Sequence, residues 1–215
     1  MNSCDVSLYG IIDPHRTRDR SLTDLTKAAA DGGITLLQYR DKDADTRTLV
    51  ENAATIKRAL EGYDVPLLIN DRVDVALVVE AEGVHVGQSD MSPKDARHLL
   101  GPDAIIGLTI KSLENAKAAP LDLIDYACIG GIYSTLSKEN PSNIGLGGWR
   151  TIAAHFRQVA PQLPVGAIAG INAENLQAVL ENGADGAAII SAIFMADDVA
   201  SATRQLKQIT DRYLS

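Results

Sequence analysis

Short apolar runs alternate along the chain with longer stretches whose apolar residues recur at helical spacing. The runs are VSLYGII (6–12), ITLLQY (34–39), VPLLI (65–69), GVHVG (83–87), AIIGLTI (104–110), LIDYACIG (123–130), PVGAIAG (164–170) and GAAIISA (186–192). They are nearly continuously apolar, without strict alternation, which marks strands covered on both faces. Between them, SLTDLTKAAADGG, RTLVENAATIKRALEG, SPKDARHLLG, NAENLQAVLENG and the closing VASATRQLKQITDRYL carry the spacing of amphipathic helices. Ser21 and Ser92 stand where helix N-caps belong, Pro93 suits a first helical position, and glycines at 32, 62, 101 and 183 suit helix ends.

Strict alternation of strand and helix means parallel strands joined by crossover helices. Eight such units in 215 residues predict an α/β fold, a (β/α)8 TIM barrel forming a single domain over residues 1–215, near the lower end of that fold's size range. A faint repeat agrees: DGGITLLQ, AEGVHVGQ and NGADGAAI each lead through glycine into a strand. A doubly wound open sheet is the runner-up. It calls for a glycine-rich loop after the first strand, and IIDPHRTRDR is not one.

Net charge of −8 and a pI near 4.9 argue against nucleic acid or an anionic membrane as partner. An anionic ligand must therefore be drawn by a local cluster of cations. The two cysteines, Cys4 and Cys128, fit no metal-ligand spacing and suggest no disulfide, so a reducing cytoplasm is the expected compartment. No signal peptide is expected from MNSCDVSLYGIIDPHR, and no apolar run reaches the roughly 20 residues of a membrane span. A homo-oligomer is compatible with the chain, though the pattern sets no subunit number.

In a barrel of this kind, chemistry sits where strands end. The second strand ends LLQYRDK, and alternation puts Gln38, Arg40 and Lys42 on one face. Two cations side by side repel unless an anion lies between them, and a planar fork beside a point charge suits a phosphate or diphosphate. The third strand ends Asn70-Asp71-Arg72, Asp90 follows the fourth, Thr109 closes the fifth, and the sixth runs into a segment bearing Thr135, Ser137 and Lys138. Gly170 and Ile190-Ser191 end the last two. Asp71 and Asp90 together suit Mg²⁺, held by two carboxylates with phosphate oxygens and water; each alone also suits a helix N-cap. The loops after strands seven and eight are this fold's usual phosphate site. His85, between Val84 and Val86, reads as a barrel-interior histidine rather than a catalytic one, and His15, His98 and His155 as surface residues. No Ser-His-Asp or Cys-His arrangement can be read, and no lysine stands inside an apolar strand.

With those residues in place, the chain resembles the thiamine-phosphate synthase (thiamine-phosphate pyrophosphorylase) family over nearly its whole length. The motifs, in order, are QYRDK (38–42), IND (69–71), GVHVGQSD (83–90), IGLT (106–109), GGIYSTLSK (130–138), AIAGI (167–171) and IISAI (189–193). The resemblance implies a transferase that joins hydroxymethylpyrimidine diphosphate to a thiazole phosphate, releasing pyrophosphate. It implies Mg²⁺ on Asp71 and Asp90, and the pyrimidine diphosphate on Gln38, Arg40, Lys42, Asn70, Thr109 and Lys138. The thiazole phosphate falls to Thr135, Ser137, Gly170, Ile190 and Ser191, and the catalytic charge to Arg40, Lys42, Lys138 and Thr109. The sequence departs from the family's commonest pattern at Asp41, Arg72, Thr109, Leu136 and Ala169. Three rivals remain: a thiazole tautomerase on the same barrel, expected to use a histidine at the end of the fifth strand; a phosphosugar isomerase or epimerase; and a non-catalytic binder of thiamine intermediates.

Overall fold

A computed structural model describes residues 4–134 and 143–214. In chain order its elements are β1 (Leu8–Ile12), α1 (Leu22–Gly32), β2 (Leu36–Tyr39), α2 (Thr46–Ala59), β3 (Leu67–Asn70), α3 (Val73–Val79), β4 (Gly83–Val86), α4 (Pro93–Leu100) and β5 (Ile105–Ile110). Then follow α5 (Leu113–Lys117), β6 (Tyr126–Gly130), α6 (Gly145–Val159), β7 (Val165–Ile168), α7 (Leu176–Glu181), β8 (Gly186–Ile189), α8 (Ser191–Phe194) and α9 (Val199–Leu214). The eight strands close into a parallel barrel in sequence order, β8 pairing with β1. Every apolar run expected to form a strand does so, but most strands are shorter than their runs. The last unit differs from expectation. Its strand stops at Ile189, and Ser191 opens the extra four-residue helix α8.

Closure sorts the strand residues by parity. Tyr9, Ile11, Leu36, Leu68, Tyr126, Cys128, Ile168 and Ala188 form one buried cluster. Their neighbours Leu8, Ile12, Leu37, Leu67, Ile69, Ala127, Ile129, Ala167 and Ile189 belong to a larger one shared with the helices. Adjacent strand residues point to opposite faces, so the first cluster fills the barrel and the second lies between barrel and helices. Both faces being buried explains why the sequence shows continuous runs.

Helix ends follow their signals closely. Ser21 and Ser92 accept from the N–H of Asp24 and Asp95 at 3.3 and 3.1 Å. At the end of α1, however, Gly33 rather than Gly32 turns left-handed, with φ +97. Gly32 serves packing instead: a Cβ there would lie 2.4 Å from Thr203 Cβ on α9.

At the N-terminal face of the barrel, a residue just before every even-numbered strand accepts the N–H at or near the start of the strand before it. Thr35 Oγ1 takes Leu8 N at 3.1 Å, Glu82 takes Leu67 N at 2.8 Å, Asp125 takes Ile106 N at 2.8 Å and Asp185 takes Val165 N at 2.7 Å. Each acidic member is also paired with a cation from a preceding helix: Lys57 with Glu82 at 2.6 Å, Arg97 with Asp125 at 2.7 Å and Arg157 with Asp185 at 2.8 Å. These bonds tie strand starts to the helical shell, far from the strand ends. Among the described residues, no helix is long and apolar enough to cross a membrane.

Asp125→Ala leaves Arg97 and the Ile106 N–H without their shared acceptor. It should lower the unfolding free energy by about 2 kcal/mol, read from urea titration.

Candidate active site

At the opposite, C-terminal face, the ends of β1 to β5 enclose a cavity of about 550 Å³. Arg40, Lys42, Asn70, Asp71, Asp90 and Thr109, all singled out from the sequence, line it together. Strand geometry delivers them. Arg40 follows Gln38 by two residues past β2, Asn70 is the last residue of β3, and Thr109 is the inward residue one before the end of β5.

Its charges are interlocked. Lys42 Nζ lies 3.0 Å from Asp71 Oδ2, and Arg40 pairs with the buried carboxylate of Asp13. Asp90 Oδ2 accepts from Gly87 N at 2.8 Å. Burial raises the Asp71 carboxyl above the ordinary carboxylate range; the adjacent Asp90 carboxyl pushes the same way, and Lys42 pulls it back. Neither aspartate caps a helix. The residue before α3 is Arg72, and α4 is capped by Ser92. The N-cap alternative is therefore not realised, and both carboxylates face the cavity. Asp71 sits at φ +61, a left-handed conformation that short polar side chains tolerate best.

A pair of carboxylates close enough to disfavour joint ionisation is a donor set that a divalent cation would relieve. Among the described residues, no third His, Cys, Asp or Glu joins them in a metal-binding group. That suits Mg²⁺, which takes one or two carboxylates and fills its remaining positions with substrate oxygens and water. Arg72, the departure beside Asp71, turns away from the cavity and bonds Asp74 at 2.6 and 2.9 Å and Thr46 at 3.0 Å. Asp41 folds back on the backbone, accepting from Asp43 N at 3.2 Å and Ala44 N at 3.1 Å.

The remaining candidates lie elsewhere. Gln38 is 2% exposed and sits beneath the cavity rather than in its wall. Gly170, Ile190 and Ser191 follow β7 and β8, at the same barrel end but outside this cavity. There Ala169 and Gly170 both take positive φ, +88 and +67. A Cβ on Gly170 would lie 2.7 Å from Ser134 O, so glycine lets the loops after β6 and β7 touch. Ile190 stands at the N-cap of α8 and makes no side-chain cap bond. Thr135, Ser137 and Lys138 lie outside the described residues.

Sequence reasoning missed Asp13, Arg16, Gln88 and Lys111, which also line the cavity, and did not assign His15 to its rim. The signal for Asp13 was present. It ends the run LYGIID just as Asn70 and Asp71 end theirs, and the same argument from strand ends would have found it.

Two measurements test this electrostatic picture. A carboxyl whose pKa is raised by folding is better protonated than ionised in the fold, so its stabilising contribution is present at acid pH and is lost as pH rises through the raised value. Metal-free Asp71→Asn, which cannot ionise, should therefore lose less Tm than wild type on going upward from about pH 4. Ala169→Gly relieves a Cβ in the left-handed region and should raise unfolding stability by about 1 kcal/mol, seen as a higher urea midpoint.

Comparison with known proteins gives one consistent result. The family model described as "Thiamine monophosphate synthase" matches residues 8–193. A thiamine-phosphate synthase of Agrobacterium fabrum is 48% identical over 215 residues, covering 100% of this chain and 98% of the relative. One from Chloroflexus aurantiacus is 42% identical, covering 95% of this chain and 93% of the relative. Among solved structures, a thiamine phosphate pyrophosphorylase from Pyrococcus furiosus superimposes with a TM-score of 0.87 at 36% identity, covering 99% of both chains.

Proposed function

The chain belongs to the thiamine monophosphate synthase family, and on that premise we propose that it joins hydroxymethylpyrimidine diphosphate to a thiazole phosphate, releasing pyrophosphate and forming thiamine phosphate. The observation that carries this reading is the convergence of Arg40, Lys42, Asn70, Asp71, Asp90 and Thr109 on one cavity. Two cations and two carboxylates from neighbouring strands make a receptor for a metal-bound diphosphate.

Asp71 and Asp90 would hold Mg²⁺, whose charge would lower the cost of forming the leaving pyrophosphate. Arg40 and Lys42 bind the same diphosphate directly. Arg40 enters the reaction already oriented, because Asp13 fixes one side of its guanidinium and leaves the rest of the fork for the ligand. In this reading pyrophosphate departs first, and the thiazole nitrogen captures the resulting pyrimidine-methyl cation. The cation is stabilised by the pyrimidine's own amino group, so positioning and charge are all the protein must supply. Gly170, Ile190 and Ser191, with Thr135 and Ser137, receive the thiazole phosphate, and Lys138 completes the charge around the diphosphate. Both substrates are small molecules. A reducing cytoplasm suits the two thiols, Cys4 and Cys128, both buried.

The test is pyrophosphate release on mixing both substrates, with and without Mg²⁺. Release should require both substrates and the metal, and Asp90→Ala should lower kcat/KM by on the order of 10²–10³-fold. A well-folded wild type that releases none would overturn the reading and favour the tautomerase or the non-catalytic binder.

A further inference from the structure

Beneath the cavity, five polar side chains from five strands are joined end to end. Gln38 Nε2 donates to the Tyr9 hydroxyl. The Tyr9 and Tyr126 hydroxyls lie 2.9 Å apart, Tyr126 Oη lies 2.8 Å from His85 Nδ1, and His85 Nε2 lies 2.8 Å from Thr109 Oγ1. Gln38, Tyr9, Tyr126 and His85 are all at most 5% exposed, while Thr109 lines the cavity.

The fold makes room for this row deliberately. His85 on β4, Gly107 on β5 and Tyr126 on β6 are in register. A Cβ on Gly107 would lie 2.1 Å from Tyr126 Cζ. The phenol therefore occupies the volume a β5 side chain would take, and so reaches across that strand to His85.

Donor and acceptor capacities constrain the row. The Gln38 amide nitrogen donates to the Tyr9 oxygen, and the row runs in one direction when Tyr9 passes its single hydrogen on to Tyr126. Burial holds both phenols far above the ordinary tyrosine range, so both stay protonated. Tyr126 then gives its hydrogen to His85 Nδ1. In that direction the imidazole carries its proton on Nε2 and donates it to Thr109 Oγ1. Thr109 is left with its hydroxyl hydrogen to give.

We propose that this row is a one-way chain of hydrogen bonds that makes Tyr9, Tyr126 and His85 positioning residues, fixing Gln38 and turning the Thr109 hydroxyl into a donor toward an acceptor atom of the substrate. The proposal rests on the reading of Thr109 as a contact of the pyrimidine diphosphate. It ties substrate recognition to residues that touch no substrate.

The first test needs no substrate. ¹⁵N NMR of wild-type protein should show His85 as the neutral Nε2–H tautomer. The Nδ1–H tautomer, which runs the chain backwards and makes Thr109 an acceptor, would overturn the proposal, as would an imidazolium. The second test is kinetic. Tyr126→Phe should mix the two tautomers and raise KM for the pyrimidine diphosphate about tenfold, leaving KM for the thiazole phosphate unchanged. A folded Tyr126→Phe protein with both KM values unchanged, or both raised alike, would overturn it. If that variant does not fold, Tyr9→Phe carries the same kinetic test. Wild type that shows the expected tautomer but releases no pyrophosphate would sink the proposed reaction and leave the bond direction standing.

Discussion

Everything in this molecule follows from closing eight parallel strands on themselves. Closure sends alternate residues into an interior with room only for side chains, and it gathers all eight strand ends on one rim. Polar groups sent inward have no water to bond, so they must bond each other. Gln38, Tyr9, Tyr126, His85 and Thr109 do so in one row. The same rule that brings Arg40, Lys42, Asn70, Asp71, Asp90 and Thr109 to the rim also brings a glycine, Gly107, to a place where a side chain would exclude Tyr126.

The two faces of the barrel divide the work. At the N-terminal face, Glu82, Asp125 and Asp185 each satisfy a strand N–H and a basic side chain at once. Charges there are matched and the gain is stability. At the C-terminal face, two carboxylates are pressed together, and Asp71 and Ala169 hold left-handed backbone. A site arranged this way costs folding energy that the opposite face helps offset, and under the proposed function its unfavourable charge is what would make it receptive to a cation and its diphosphate. Under that proposal a protein of net charge −8 would draw an anion through local geometry, against its overall field.

The period of the apolar pattern, the caps at Ser21 and Ser92, and the order of strand and helix were enough to give the barrel, because both periodicities are local properties of backbone geometry. Rim residues were legible for the same reason: a polar residue at the end of an apolar run stays at the end of its strand. Boundaries were less so. Ile190 and Ser191 read as strand continuation, since an apolar run does not reveal where the backbone stops pairing with its neighbour, and Gly32 read as a helix stop when its lack of a side chain answers to Thr203 on a distant helix.

From the sequence alone came the fold, the inventory of rim residues and the chemistry they suit. Only the tertiary structure decided which of them share a cavity, that Asp13 holds Arg40, and that Gln38 lies beneath the site joined to Thr109 through Tyr9, Tyr126 and His85. Those facts depend on register between strands far apart in the chain. Register is set by closure, which no local pattern encodes.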